Sequence, residues 1–250
     1  MNILVFDTET TSLDKPFCYN IGYVITDTET NTILEERDFV VEQIWHNLEL
    51  FQSAYYADKR PLYVSAMKAR KTIMDKFGYI CRQIARDIKA YEVESAYAYN
   101  SPFDEKVFNF CCDWFKCINP FENIPVYDIR GYAHNFICNT DEYIQYCEEN
   151  KLFTESGNYS TTAESLFRFI LKDNTFEEEH TALSDSEIET EILIECLNRG
   201  AEVATAYPVK FSFERKVEKK LDIVKNKETI ASFLYQKITI NKERTKITLK

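Results

Sequence analysis

Residues 2–11 read N-I-L-V-F-D-T-E-T-T. The unbroken apolar run Ile3 to Phe6 predicts a short strand buried on both faces, in the middle of a sheet. It runs straight into Asp7 and Glu9. Side chains alternate faces along a strand, so these two carboxylates point the same way. Two like charges beside a core are costly unless a cation neutralises them, and hard oxygen ligands suit Mg²⁺ or Mn²⁺. An isolated D-x-E is more often a solvated strand end. The reading therefore depends on what the rest of the chain brings to this strand.

Two further strands, 18–27 and 33–42, flank the polar turn 28–32, and the first three elements predict an antiparallel meander. Residues 44–61 show no clean period and read as short helix plus loop. From 66 to 90, Ile73, Phe77, Ile80, Ile84 and Ile88 recur at three- and four-residue steps and predict one helix. Ala96–Tyr99 makes a short strand. Ser101-Pro102 predicts a helix start with Ser as N-cap. Pro125–Tyr127 is another strand, with Asp128 placed to cap the element after it. Helices are expected near 140–149, 161–171 and 184–198, the last ending at Asn198-Arg199-Gly200.

Two more acids stand at helix starts. Asp104 lies in the first turn after Ser101-Pro102, and Asp185 near the start of the last helix. Each alone is the residue a helix dipole favours there. His180 precedes Asp185 by five residues, about 140° apart on one continuous helix. For both to serve one site, His180 must lie in the loop before the helix. His46 and His134 read as structural.

Together, F-D-T-E-T-T at 6–11, N-S-P-F-D at 100–104 and H-T-A-L-S-D at 180–185 resemble the three exonuclease motifs of the DEDDh, or DnaQ-like, 3′→5′ exonuclease family. The resemblance covers roughly residues 1–200. It implies a ribonuclease H-like α/β fold: a mixed five-stranded sheet with helices on both faces. It implies that Asp7, Glu9, Asp104 and Asp185 bind two Mg²⁺ or Mn²⁺ ions and that His180 is the general base. It implies that Thr10, Thr11 and Leu13 lie along the 3′-terminal nucleotide, with Asn100 and Phe103 positioning the strand. The family often has Gly where Ser12 stands and His where Tyr99 stands. The expected substrate is a single-stranded 3′ end, DNA ahead of RNA, with proofreading beside a polymerase or replisome partner as one setting. RNA trimming is the alternative, since the choice turns on a 2′-hydroxyl contact. A catalytically silent nucleic-acid-binding scaffold is a third, disfavoured by the intact set of acids and His180.

The 250-residue chain is 45% hydrophobic and 28% charged, with 5 Gly and 6 Pro, which excludes collagen-like and disordered classes. No apolar run approaches the ~20 residues of a membrane span, and the N-terminus lacks a basic n-region, so a cytoplasmic protein without a membrane partner is expected. The net charge of −11 argues against holding nucleic acid by bulk electrostatics. Yet residues 210–250 carry 12 Lys/Arg against 5 Asp/Glu, leaving the rest at −18. Tyr207-Pro208 marks a boundary between an exonuclease domain, 1–206, and a small basic, β-rich extension, 207–250, with a terminal hairpin over 237–249. That extension reads either as a strand-guiding or partner-docking element or as a solvated hairpin edge. The eight cysteines read as reduced thiols. Cys111, Cys117, His134 and Cys138 match no standard zinc spacing, and Cys111 among Val107, Phe108 and Phe110 is expected to pack as a small apolar group.

Overall fold

The structure is a computed structural model, and it describes residues 1–210. The elements run β1 (Asn2–Thr10), β2 (Cys18–Asp27), β3 (Thr32–Val41), α1 (Glu42–Trp45), α2 (Leu48–Gln52), α3 (Arg60–Lys68), β4 (Ile73–Asp75), α4 (Phe77–Ala90), β5 (Ser95–Ala98) and α5 (Ser101–Phe115). They continue through β6 (Val126–Asp128), α6 (Ile129–Ala133), α7 (Asp141–Glu149), α8 (Ala163–Leu171) and α9 (Ala182–Asn198). The sheet order is β4-β3-β2-β1-β5-β6. β1, β2 and β3 are the expected antiparallel meander, while β5 joins β1, and β6 joins β5, in parallel.

β1 is the centre of this sheet, and its alternation divides the molecule into two layers. Leu4 and Phe6 enter one core with Ile80, Ile84 and Phe108 from α4 and α5. Ile3 and Val5 enter the other with Ile129, Leu166, Ile188 and Ile192 from α6, α8 and α9. All four β1 side chains are fully buried, each contributing about 1.5–3 kcal/mol by transfer from water.

The packing of α9 is set by one glycine. Gly22 pairs directly with Asp7 across the β1–β2 ladder, and a Cβ there would lie 2.1 Å from the Leu183 nitrogen and 2.2 Å from the Ala182 carbonyl carbon. Backbone rests on backbone, so α9 begins against the strand pair beside Asp7. Its first turn is tied down twice. Asn20 Oδ1 accepts the Ala182 N–H at 2.8 Å, acting as a cap from another element. Ser186 Oγ donates to the Gly22 carbonyl at 3.1 Å. Asn20 also accepts from the Tyr63 hydroxyl and donates to Asp38 and the Phe39 carbonyl, all buried.

Two local readings change. The helix expected over 66–90 is divided by β4, a sixth strand that pairs in parallel with Phe39–Val41. Buried Asp38 is the cause: its second oxygen takes the Thr72 hydroxyl, which holds the chain at the sheet edge and leaves Ile73 and Met74 exposed. Ser101 is inside α5 rather than its cap. The residue before the helix is Asn100, at φ +67°, a conformation Asn tolerates better than most residues. Asp128 Oδ1 fixes it by accepting its N–H at 2.9 Å, and also caps α6 at Arg130 as expected. Cys111 packs in one core as expected, while Cys138 sits in the other, so the four residues considered do not converge.

The chain stays against α6 through Lys210. The Tyr207 ring meets Tyr132 and Phe136, and Asn135 donates to the Pro208 carbonyl. The hairpin expected over 237–249, like the rest of the basic extension beyond Lys210, falls outside the described residues. Among the described residues, no helix is long and apolar enough to cross a membrane.

Asn20→Ala removes the remote cap of α9 and takes one hydrogen bond each from buried groups of Tyr63, Asp38 and Ala182. A loss of about 2–4 kcal/mol is expected in urea denaturation. A change under about 0.5 kcal/mol would show that α9 is anchored elsewhere.

Candidate active site

β1 carries its polar end out of the core in the same alternation as its apolar part. Asp7 and Glu9 continue the Ile3/Val5 face toward α9, while Thr8 continues the Leu4/Phe6 face toward α5. Thr8 Oγ1 donates to Asp104 Oδ1 at 2.6 Å, both groups buried. Asp185, in the first turn of α9, comes to Asp7 and Glu9 from the other side. One carboxylate oxygen from each of these three lies within 4.8 Å of the others. Asp185 also belongs to a second, overlapping group with Glu178 and His180. Asp104 is outside both close groups, held by Thr8 and near enough to Asp7 for their charges to oppose each other.

His180 lies in the loop before α9, with φ +51°, as its spacing from Asp185 requires. Its ring stacks on Tyr56 at 4.6 Å between centroids and 14° between planes. Nδ1 is 3.4 Å from Glu178. Lys59, from the turn before α3, donates to the Glu179 carbonyl and stands over the Tyr56 ring. The segment 55–60, where the sequence shows no period, is thus the support of this histidine.

Six acids share the pocket's electrostatic load, among them Glu178, pushed up to about 7 by burial with the charges of Glu164 and Asp7 adding to it. Burial pushes Asp7 up to about 7, Glu9 to about 8, with the Asp7 charge adding to it, and Asp185 to about 9. Asp104 is pushed well up by burial and then by Asp7. Glu189, one turn beyond Asp185 and buried, is raised by burial and by the charges of Asp7 and Asp104, and it accepts the Tyr99 N–H at 3.0 Å. Burial lowers His180, with Lys59 adding to it. Asp185 Oδ1 is buried and has no hydrogen-bond partner among the described residues. A buried carboxylate oxygen facing two other carboxylates needs a proton or a cation. The all-oxygen donor set fits a hard divalent ion.

The substrate residues expected from sequence divide into two groups. Thr11 is buried, its N–H bonded to the Phe17 carbonyl; Phe103 packs on the α5-side core. Both support the site rather than line an open surface. Leu13 is 72% exposed beyond the end of β1, with Lys106 holding its carbonyl at 2.9 Å. Thr10 is half-buried and Asn100 exposed. Sequence reasoning passed over Thr8, Glu178, Glu189, Tyr56 and Lys59. Thr8 and Glu189 were accessible from periodicity: one alternates with Asp7, the other lies four residues after Asp185 on one helix face. Glu178 sits unmarked in the acidic run 177–179, and Tyr56 and Lys59 carry no local signal.

No protein-family model matches this chain, and no curated protein matches it. Solved structures do. The nuclease domain of 3′hExo, described as a DEDDh family member bound to rAMP, superposes with a TM-score of 0.51 at 15% identity, over 80% of this chain and 92% of that one. A 3′-exonuclease described in 3′-end-specific recognition of a histone mRNA stem-loop gives 0.50 at 14%, over 84% and 93%. ExoI in a complex with SSB-Ct gives 0.51 at 15%, over 80% and 41%, so this chain spans about two fifths of ExoI. The fold is therefore the ribonuclease H-like fold of DEDDh 3′ exonuclease domains.

Raised carboxyls give this site a pH signature. Between pH ~4 and ~9 the folded protein keeps protons that the unfolded chain has released, so metal-free stability falls as pH rises through that window. In EDTA, the melting temperature is expected to drop steadily from pH 5 to pH 9, and Mn²⁺ is expected to flatten the drop at the alkaline end. A melting temperature that rises over this range, or one indifferent to Mn²⁺ at pH 8–9, would contradict the arrangement.

Proposed function

We propose that this chain is a metal-dependent 3′→5′ exonuclease of the DEDDh kind. It releases nucleoside monophosphates from single-stranded ends, DNA ahead of RNA. The observation that carries the reading is the approach of Asp7, Glu9 and Asp185 from two elements to within 4.8 Å, with Asp104 behind them and His180 at the mouth. Stability alone does not favour a buried group of like charges. A pocket that binds divalent cations does.

Asp7, Glu9, Asp104 and Asp185 would hold two Mg²⁺ or Mn²⁺ ions. When bound, these supply Lewis-acid activation of water and offset charge on the leaving oxygen. The protein's own groups do the rest. His180, kept neutral near pH 7 by its half-buried position, accepts the attacking water's proton through a ring nitrogen. The Tyr56 stack fixes its plane, and Glu178 beside Nδ1 orients it. Leu13 offers an apolar surface to the terminal base, while Thr10 and Asn100 offer hydrogen bonds to the backbone of the strand. Thr8 holds Asp104 in one rotamer. Affinity for the rest of the strand has to come from outside this acidic pocket, and stacking on exposed aromatics together with the basic segment 210–250 supplies it.

RNA is the second reading, favoured by the rAMP and the histone mRNA stem-loop named for two neighbours of like length. Matched 5′-labelled DNA and RNA oligomers, single- and double-stranded, separate the two. Stepwise shortening from the 3′ end with Mg²⁺ or Mn²⁺, stopped by EDTA, is expected. A ladder from the 5′ end or EDTA-resistant cleavage would overturn the proposal.

Asp104→Asn is expected to abolish turnover without lowering the melting temperature, because it removes one of the opposed charges. His180→Ala is expected to cost about 10²-fold or more in kcat with the fold unchanged. Full activity in His180→Ala would assign the proton acceptor elsewhere.

A further inference from the structure

Away from the carboxylates, three cysteines meet between α4 and the end of α5. Cys81 projects from the middle of α4, Cys112 lies in the last turn of α5, and Cys117 lies just beyond it. The chain turns back through Lys116, at φ +54°, and the Cys117 N–H returns to the Cys112 carbonyl at 3.1 Å. That closure brings the two thiols of a C-x₄-C pair to one side. The three sulfurs lie within 4.8 Å of one another, and Cys117 Sγ is 4.0 Å from Cys81 Sγ. The loop packs on the start of α4, where a Cβ at Gly78 would make an ordinary contact with Cys117 Cβ at 3.4 Å. Cys81 and Cys112 are buried, while Cys117 is half-exposed, so the cluster has two walls inside the protein and one open side.

We propose that Cys81, Cys112 and Cys117 form a binding site for one thiophilic d¹⁰ cation, Zn²⁺, with a water in the fourth position. The dimensions fit. Sulfurs bound at about 2.3 Å to a tetrahedral zinc lie about 3.8 Å apart, so the cluster has to contract by less than about 1 Å to close on the ion. The donor set fits too. Three sulfurs without a carboxylate among them select a soft or borderline ion, in contrast to the all-oxygen pocket at β1. Small apolar packing accounts for a single buried thiol. It does not call for three converging on an open side from two helices. The three thiols share protons unevenly: the hydrogen bond with Cys112, then burial, pushes Cys81 up, burial pushes Cys117 up to about 11, and hydrogen bonds from Cys81 and then Cys117 hold Cys112 down. Binding therefore releases protons and strengthens with pH. Bound, the ion clamps α4 to the end of the helix whose other end carries Asp104.

The test uses the full reduced chain in saturating Mg²⁺, which occupies the carboxylates and has little affinity for thiols. Cys117 is the one cysteine of the eight that is not buried, so its alkylation in the native protein reports on the cluster. One equivalent of Zn²⁺ is expected to protect Cys117 from iodoacetamide. One equivalent of Cd²⁺ is expected to produce the ultraviolet charge-transfer band of cadmium bound to thiolates. Cys81→Ser and Cys112→Ser are each expected to weaken Zn²⁺ protection by more than about tenfold, while Cys147→Ser, in the other core, leaves it intact. Unchanged alkylation with Zn²⁺ in the wild-type chain would overturn the proposal whether or not the serine variants fold. A cadmium band of full size in Cys117→Ser would overturn it equally. Neither readout involves nucleic acid, so the site stands or falls apart from the nuclease assignment.

Discussion

At Gly22, a helix N-terminus lies on a strand with no side chain between them. Everything distinctive about the carboxylate pocket stems from that contact. Gly22 is the cross-strand partner of Asp7, so the helix that rests on it delivers Asp185 to the acids of β1 and leaves His180 in the loop just outside. Asn20, two residues earlier on the same strand, supplies the hydrogen bond that α9 lacks from its own cap residue. Gly22 and Asn20 thus do by packing and capping what no catalytic side chain can do for itself: they fix where the last acid stands.

The cost of that placement is electrostatic. Burial pushes Asp7 up, and burial with the charges of neighbouring acids pushes up Glu9, Asp104, Asp185 and Glu189. The surrounding fold absorbs the load. β1 is buried on both faces, Thr8 holds Asp104, and the Tyr99 N–H holds Glu189. Under the proposed function, a bound cation would convert the pocket from one that repels phosphate to one that attracts it, and so reconcile a chain of net charge −11 with a polyanionic substrate. The cysteine cluster shows the same logic with the opposite chemistry, since Cys81 and Cys117 hold raised thiol protons that an arriving ion would displace.

Much of this was legible in the amino-acid order. The run Ile3–Phe6 marks the central strand because a strand covered on both faces has no polar face to show. Asp7 and Glu9 share a side because strands alternate, and His180 had to precede α9 because five helical steps would have turned it away from Asp185. What was not legible depended on contacts distant in sequence. β4 exists because Thr72 answers buried Asp38, and no local period reveals that pairing. Asn100 rather than Ser101 ends the loop before α5 because Asp128, 28 residues on, holds its N–H. Gly22 looks like any strand glycine until a helix is found lying on it. The cysteine trio is hidden in the same way: Cys112 and Cys117 form an unremarkable C-x₄-C pair, and their third member sits 31 residues earlier on another helix.

The central claim is that acids from β1, α5 and α9 converge to share divalent cations. Anomalous diffraction at the manganese edge, from crystals soaked in MnCl₂, tests it most directly. The account predicts strong density between the carboxylates of Asp7, Glu9 and Asp185, with Asp104 turned toward it. Density elsewhere, or none while those oxygens stay protonated and bonded to one another, would contradict it.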